Sequence, residues 1–158
     1  MTEITAAMVQ ELREATNVSM MECKRALVEA GGDKERAIRL LRERGVAIAA
    51  KKATRQANQG LIAAAVRGGQ VGALIEVNCE TDFVAKNPGF QAFVQSLADK
   101  AADDERPITE WAGPDVSAKV AEIGENIVAR RSTRYTLQGP GLIAAYIHLH
   151  GKVGVLLE

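Results

Sequence analysis

Apolar residues in positions 1–50 recur at helical spacing and fall into three segments, each bounded by residues that start or stop a helix. Thr5 stands where a cap is needed, and Ile4 at N′ with Val9 at N4 has the hydrophobic-staple arrangement. Met8, Leu12 and Ala15 form the inward stripe of this first predicted helix. Ser19 and Glu22 have the S-x-x-E spacing of a capping box, opening a second helix that carries Met20, Cys23 and Leu27 inward and stops at Gly31-Gly32. Asp33 caps a third, with Ala37, Leu40 and Leu41 buried and Gly45 as its stop. Three helices this short enclose little core, so their outer faces are open to a second use.

Val46 to Gln59 is Ala-rich and then polar, with Lys51, Lys52 and Arg55, and reads as a helical linker with a solvated basic face. At Gly60 the period changes from helix to strand. Leu61–Arg67 and Gln70–Cys79 are β-rich runs joined by Gly68-Gly69, where glycine supplies the positive φ of a tight hairpin. A bend at Thr81-Asp82-Phe83 follows. Asn87 as cap and Pro88 at N1 then open the clearest amphipathic helix, with Phe90, Phe93, Val94, Leu97, Ala98 and Ala101 on one stripe. Residues 103–114 are charged and proline-containing and predict a surface loop. Val116, Val120, Ile123 and Ile127 predict another helix, and Ala129–Leu137 alternates like a third strand, completing an α+β sheet near Gln138.

The segment Gly141–Glu158 repeats Gly60–Glu76 with one residue inserted at the turn. The first copy is followed by the helix after Asn87, whereas the second ends at the position equivalent to Glu76. A lone hairpin is marginal in water. The expectation is a fragment, or a hairpin that takes its missing surface from the first subdomain or from another chain by homo-association.

Composition narrows the chemistry. Of 158 residues 47% are apolar, enough to build a core, and Lys plus Arg equals Asp plus Glu at 20 each. That balance supplies no global field for nucleic acid or anionic membrane. No apolar run approaches the roughly 20 residues that span a bilayer, and Met1 lies almost against the first helix, so no signal peptide and a cytoplasmic location are expected. Cys23 and Cys79 are too few for a disulfide scaffold and lack metal-ligand spacing, and Cys79 shares an apolar strand face with Val71, Ala73, Ile75 and Val77. His148 and His150 read as surface histidines rather than zinc ligands, and neither glycine pair belongs to a phosphate loop. Arg130, Arg131 and Arg134 lack interleaved aromatics and read as a solvated strand face. No catalytic constellation, cofactor or metal is expected.

Phe83 belongs neither to the strand before it nor to the stripe that accounts for Phe90 and Phe93. An aromatic beside a carboxylate on a short connecting turn can plug a partner's pocket, or it can be core while Asp82 caps the turn; the residues alone leave both open. The run Glu76-Val-Asn-Cys-Glu-Thr-Asp-Phe-Val-Ala-Lys-Asn87 closely resembles a signature of the elongation factor Ts family, whose members release GDP from elongation factor Tu in bacterial translation. The segment Leu12-Arg-Glu-Ala-Thr-Asn-Val-Ser-Met-Met-Glu-Cys-Lys-Arg-Ala-Leu27 resembles the family's amino-terminal signature. Ile123-Gly-Glu-Asn-Ile127 with Arg130-Arg131 resembles the place where its first core subdomain closes.

The resemblance implies a non-enzymatic guanine-nucleotide exchange factor whose partner is elongation factor Tu, GDP-bound and nucleotide-free. By implication Phe83 is a wedge beside that partner's magnesium site and Asp82 its polar companion, while Thr81, Val84, Lys86 and Asn87 shape the turn. Leu12, Arg13, Met20 and Met21 match the family's docking module, although Met20 and Met21 could equally be core. Longer members carry a second core subdomain with a coiled-coil hairpin, which this sequence enters before it ends. The resulting expectation is α+β: a three-helix bundle of the ubiquitin-associated type at 1–50, a linker at 51–59, a core subdomain with a three-stranded antiparallel sheet at 60–139, and an incomplete second subdomain at 140–158. The competing readings are a helical-bundle adaptor without exchange activity and a thiol enzyme using Cys79 with Glu80 or a histidine.

Overall fold

Side-chain caps start the helices of the amino-terminal third. Thr5 Oγ1 accepts the Met8 N–H at 3.3 Å, Ser19 Oγ that of Glu22 at 3.4 Å, and Asp33 Oδ1 that of Arg36 at 2.9 Å. They open α1 (Ala6–Thr16), α2 (Met20–Glu29) and α3 (Lys34–Lys52). These positions come from a computed structural model, which describes residues 3–158. By its contacts the chain forms two units, one made of the chain up to Ala53 with Ser117–Glu125, the other of Thr54–Val116 with Asn126–Glu158.

In the first unit Val9, Leu12, Cys23, Ala26, Leu27, Ala30, Ala37 and Leu41 make the core, with Ile4, Met8 and Leu40 packed partly against it. Two expected core positions are exposed. Ala15 gives way to Thr16, which is half-buried and turns its hydroxyl onto the Leu12 carbonyl at 2.7 Å. Met20, at the first position of α2, lies outside the core that Cys23, Ala26 and Leu27 fill. Gly31 and Gly32 end α2 at φ of 66° and 88°, with the Gly32 N–H donating to the Leu27 carbonyl at 2.9 Å.

Gly45 does not stop α3. It is buried within the helix, and a Cβ there would lie 3.5 Å from the Ser117 carbonyl oxygen and 3.6 Å from the Ala121 Cβ of α7 (Gly113–Ile123). Its missing side chain permits close approach of two helices. The stretch expected as a surface loop at 103–114 also differs, because it holds the end of α5 (Pro88–Asp103), the short α6 (Ile108–Trp111) and the start of α7. Ile108 and Ala112 are fully buried there, and the Ile108 N–H donates to Ser132 Oγ at 2.9 Å. Ile127 opens a strand rather than closing a helix.

The second unit is built on β1 (Gln59–Arg67), β2 (Val71–Cys79) and β3 (Ile127–Thr136), antiparallel in the order β1-β2-β3. Gly68 and Gly69, both at positive φ, turn the first hairpin, whose register runs from Arg67↔Val71 to Gln59↔Cys79. Leu61, Ala63, Ala65, Ala73, Ile75 and Val77 share one buried face of that hairpin. Phe90, Val94, Leu97, Ala98, Ala101 and Ala102 of α5 pack on it.

The second hairpin, β4 (Ala144–His148) and β5 (Val153–Leu157), covers part of the other face. The sequence repeat is repeated in the packing. The Ile62 N–H donates to the Gly151 carbonyl at 2.7 Å, and the repeat-equivalent Ile143 N–H donates to the Gly69 carbonyl at 2.8 Å. A Cβ on Gly72 would lie 2.5 Å from Ile143 and 2.8 Å from Leu156; one on Gly154 would lie 2.5 Å from Ile62 and 3.0 Å from Leu74, the equivalents of those two residues. Each hairpin therefore seats its branched side chains on the other's glycine. The first hairpin supplies burial to the second, one of the outlets open to it from sequence.

Candidate partner-binding site

Between β2 and α5 the chain makes a five-residue helix, α4 (Asp82–Lys86). Thr81, not Asp82, is its cap, with Oγ1 accepting the Val84 N–H at 3.3 Å. Asp82 holds the first helical position and pairs with Lys86 at 2.7 Å, one turn on. The hydrogen bond from Lys86, with its charge, holds the Asp82 carboxyl below the ordinary carboxylate range. Ala85 is buried and anchors the helix, and Val84 is half-buried. Asn87 closes α4 with its N–H on the Val84 carbonyl at 3.0 Å; its side chain caps α5, accepting the Gly89 and Phe90 N–H groups at 2.8 and 3.2 Å.

The cap, the Ala85 anchor and the Asn87 hinge leave Phe83 pointing out. At 81% exposure it is the most exposed large apolar side chain among the described residues. Its neighbours Phe90 and Phe93 sit on the α5 stripe as expected, Phe90 fully buried and Phe93 half-buried. Burying a phenylalanine against a partner is worth about 1.5–3 kcal/mol of hydrophobic free energy.

The base of α4 is polar and held. Glu80, just before the cap, accepts the Asn126 backbone N–H at 2.6 Å and lies 3.6 Å from the Arg55 guanidinium. Asn126 is buried, and its side-chain amide donates to the Arg55 carbonyl at 2.7 Å. Asn78, also buried, donates to the Gln59 carbonyl at 3.1 Å and accepts from Arg130 Nε, while Arg130 Nη2 donates to the Ala57 carbonyl at 3.3 Å. Side chains thus satisfy the carbonyls at 55, 57 and 59, where the chain enters β1. The sequence marks Asn126 only as part of a family segment and reads Arg130 also as one of a solvated strand face; that they meet Glu80 and Asn78 depends on a strand pairing that spacing does not show.

In the first unit Leu12 is fully buried, so it supports a surface rather than forming one. Arg13 is exposed, as are Met20 and Met21, the latter at 61%. The alternative left open for the two methionines resolves to the surface. Val28, which the sequence did not single out, lies two helical turns after Met21 at 60% exposure, and the two line a shallow groove with Lys24, Arg25 and Glu29. Cys79 is buried with its thiol on the Thr81 carbonyl at 3.2 Å. His148 bonds Tyr146 at 2.8 Å, and among the described residues no three His, Cys, Asp or Glu side chains are grouped as metal ligands. No helix of the described residues is long and apolar enough to cross a membrane.

Fold and site together define an α+β scaffold that holds an aromatic out on a capped turn. The sequence profile of the family described as Elongation factor TS matches residues 80–158, from the base of that turn to the second hairpin. Relatives called Elongation factor Ts align along the whole chain or nearly so: 48% identical in Symbiobacterium thermophilum and 45% in Nostoc, each over all of this chain, and 45% in Trichlorobacter lovleyi over 98% of it. The chain belongs to the elongation factor Ts family. It spans about half the length of the curated relatives it matches, 54–55% of those three.

Proposed function

We propose that this chain is a guanine-nucleotide exchange factor of translation elongation, binding elongation factor Tu with GDP and promoting GDP release by inserting the Asp82-Phe83 turn near the partner's magnesium site. The observation that carries this reading is Phe83, 81% exposed on a turn whose ends are capped and whose Ala85 is buried. Among the described residues no packing accounts for an aromatic there, and the family of the chain supplies a use for it. Thr81, Val84, Lys86 and Asn87 shape the turn, with Lys86 neutralising Asp82 until a partner arrives.

The physics is linkage, not bond chemistry. A factor that binds the nucleotide-free state better than the GDP-bound state weakens GDP by the same coupling free energy. Each 1.4 kcal/mol of coupling is about tenfold in affinity, so one wedge and a docking surface are enough. Residues 1–50 serve as that docking module, a bundle of the ubiquitin-associated type presenting Arg13, Met20 and Met21 over a core that includes Leu12. Residues 51–59 link it to the core subdomain at 60–139 that carries the wedge, and 140–158 begin a second subdomain. The site of action is the cytoplasm, with no catalytic group, cofactor, nucleic acid or membrane engaged. Homo-association is a further outlet: Tyr146, Val155 and Leu157, repeat-equivalent to Ala65, Ala73 and Ile75 beneath α5, are exposed.

Release of fluorescent GDP from elongation factor Tu tests the reading. Acceleration by the wild-type chain, reduced roughly 30-fold by Phe83→Ala as expected for a hot spot of about 2 kcal/mol, supports the wedge. No acceleration and no binding sink it. The second reading, an adaptor acting through Met21 and Val28 alone, predicts binding that Phe83→Ala leaves untouched and Met21→Ser abolishes.

A further inference from the structure

We propose that Glu80 and Asn126 are positioning residues that fix α4 in its partner-ready orientation before any partner is met, a proposal that rests on the exchange reading above. Five residues cannot hold a helix by themselves, since nucleation is unfavourable at that length. Something outside α4 must therefore set its direction. After it, Asn87 is shared with α5. Before it, the chain leaves β2 at Cys79, and Glu80 is the last side chain ahead of the Thr81 cap.

Glu80 is tied to elements distant in sequence. Its carboxylate accepts the backbone N–H at the entrance of β3, at Asn126, and faces the guanidinium of Arg55 on the segment leading into β1. The buried Asn126 amide returns to that segment through the Arg55 carbonyl. Arg55, Glu80 and Asn126 therefore close a ring across three chain segments, and the helix that presents Phe83 leaves from one corner of it. A second bracket, Asn78 with Arg130 and the Ala57 carbonyl, lies one step down the same strands. A buried amide and a half-buried carboxylate at this ring serve packing poorly, because polar groups withdrawn from water must be hydrogen-bonded to be tolerated. They serve direction well, because charge-assisted bonds are short and angular. A wedge works by being ordered before it enters; if α4 moved freely, ordering it would consume the binding free energy that the Phe83 contact provides.

The test uses the full chain. In wild type, backbone order parameters over 82–86 are expected near the rigid value of about 0.85, and in Glu80→Ala or Asn126→Ala to fall below about 0.6 while β1 to β3 are unchanged. Glu80→Gln, which keeps an acceptor oxygen, is expected to retain most of the order. If Asn126→Ala does not fold, Glu80→Ala decides alone. Order that persists over 82–86 in Glu80→Ala overturns the proposal. In GDP release, Glu80→Ala is expected to lower the maximal rate about tenfold and move the half-saturating concentration less than about twofold. Combined with Phe83→Ala it should be no slower than Phe83→Ala alone. Effects that multiply would overturn positioning of Phe83. A wild-type chain that releases no GDP would count against the exchange reading, and the order parameters would still decide the positioning.

Discussion

Phe83 and Phe90 stand seven residues apart and illustrate opposite uses of one side chain. Phe90 is fully enclosed in the core under β1 and β2, so Phe90→Ala is expected to cost about 3–5 kcal/mol of stability, read as a shift in the urea midpoint. Phe83→Ala should leave that midpoint within about 0.5 kcal/mol of wild type, because the ring touches little of its own chain. A large loss for Phe83→Ala would mean that the ring is structural. The sequence separated these two residues because Phe90 lay on a helical stripe and Phe83 on none. It offered Asp82 as the cap where Thr81 holds that role, since both residue types cap helices and the choice depends on where the helix begins. With Thr81 in that role, Asp82 is free to pair with Lys86, and a pH dependence follows. Its folded carboxyl is depressed, so its contribution to α4 is complete above the ordinary carboxylate value and is lost as pH falls through the lower folded one. The carbon-13 carboxyl shift of Asp82 should therefore titrate below that of an unpaired aspartate in the same spectrum. Lys86→Met should return it to the ordinary range; no change on that substitution would remove the pair as the cause.

At the scale of elements, termini were more legible than interiors. Thr5, Ser19, Asp33 and Asn87 were readable as caps because a cap is a local bond between a side chain and an N–H two or three residues on. Gly45 was misread by the same local logic. Glycine ends a helix when it takes positive φ, as Gly31 and Gly32 do, but glycine also stands where another helix comes close, and that neighbour, α7, lies some seventy positions along the chain. The burial of Ile108 in a charged, proline-containing stretch was hidden for a like reason, its partner being Ser132 on β3. The two roles of Gly45 predict different mutants. A Cβ there would sit at ordinary contact distance from Ser117 and Ala121. Gly45→Ala should then stabilise the first unit by about 0.5–1 kcal/mol through helix propensity, whereas Gly45→Leu should destabilise it by forcing α3 from α7. Thermal unfolding followed by circular dichroism distinguishes them, and a destabilising Gly45→Ala would contradict the fit described.

Over the whole chain the duplicated hairpin is the feature the sequence disclosed most fully and explained least. The repeat of Gly60–Glu76 in Gly141–Glu158 was visible by alignment, and the strand registers agree, Ala63↔Ile75 matching Ala144↔Leu157. What the repeat could not show is that the two copies pack on each other through equivalent residues, because reciprocity is a property of their placement. Reciprocity makes Gly72 and Gly154 two readings of one contact. A methyl on either would fall 2.5 Å from an isoleucine of the other hairpin, Ile143 in one case and Ile62 in the other, closer than carbon atoms approach without displacement. Gly72→Ala and Gly154→Ala should each cost about 1–3 kcal/mol, the range for overpacking a close-fitted site, whereas Gly139→Ala, with nothing within 4 Å, should be neutral. Once one substitution has parted the hairpins the other meets relaxed surroundings, so the double mutant should lose less than the sum. Limited proteolysis should then cut between Leu137 and Ile143 faster in either single mutant than in wild type, because the Leu137 and Ile143 N–H groups are held by the Gln70 and Gly69 carbonyls in the docked hairpin. Full additivity with unchanged proteolysis would mean that the glycines answer to their own strands, and that the second hairpin stands without the first.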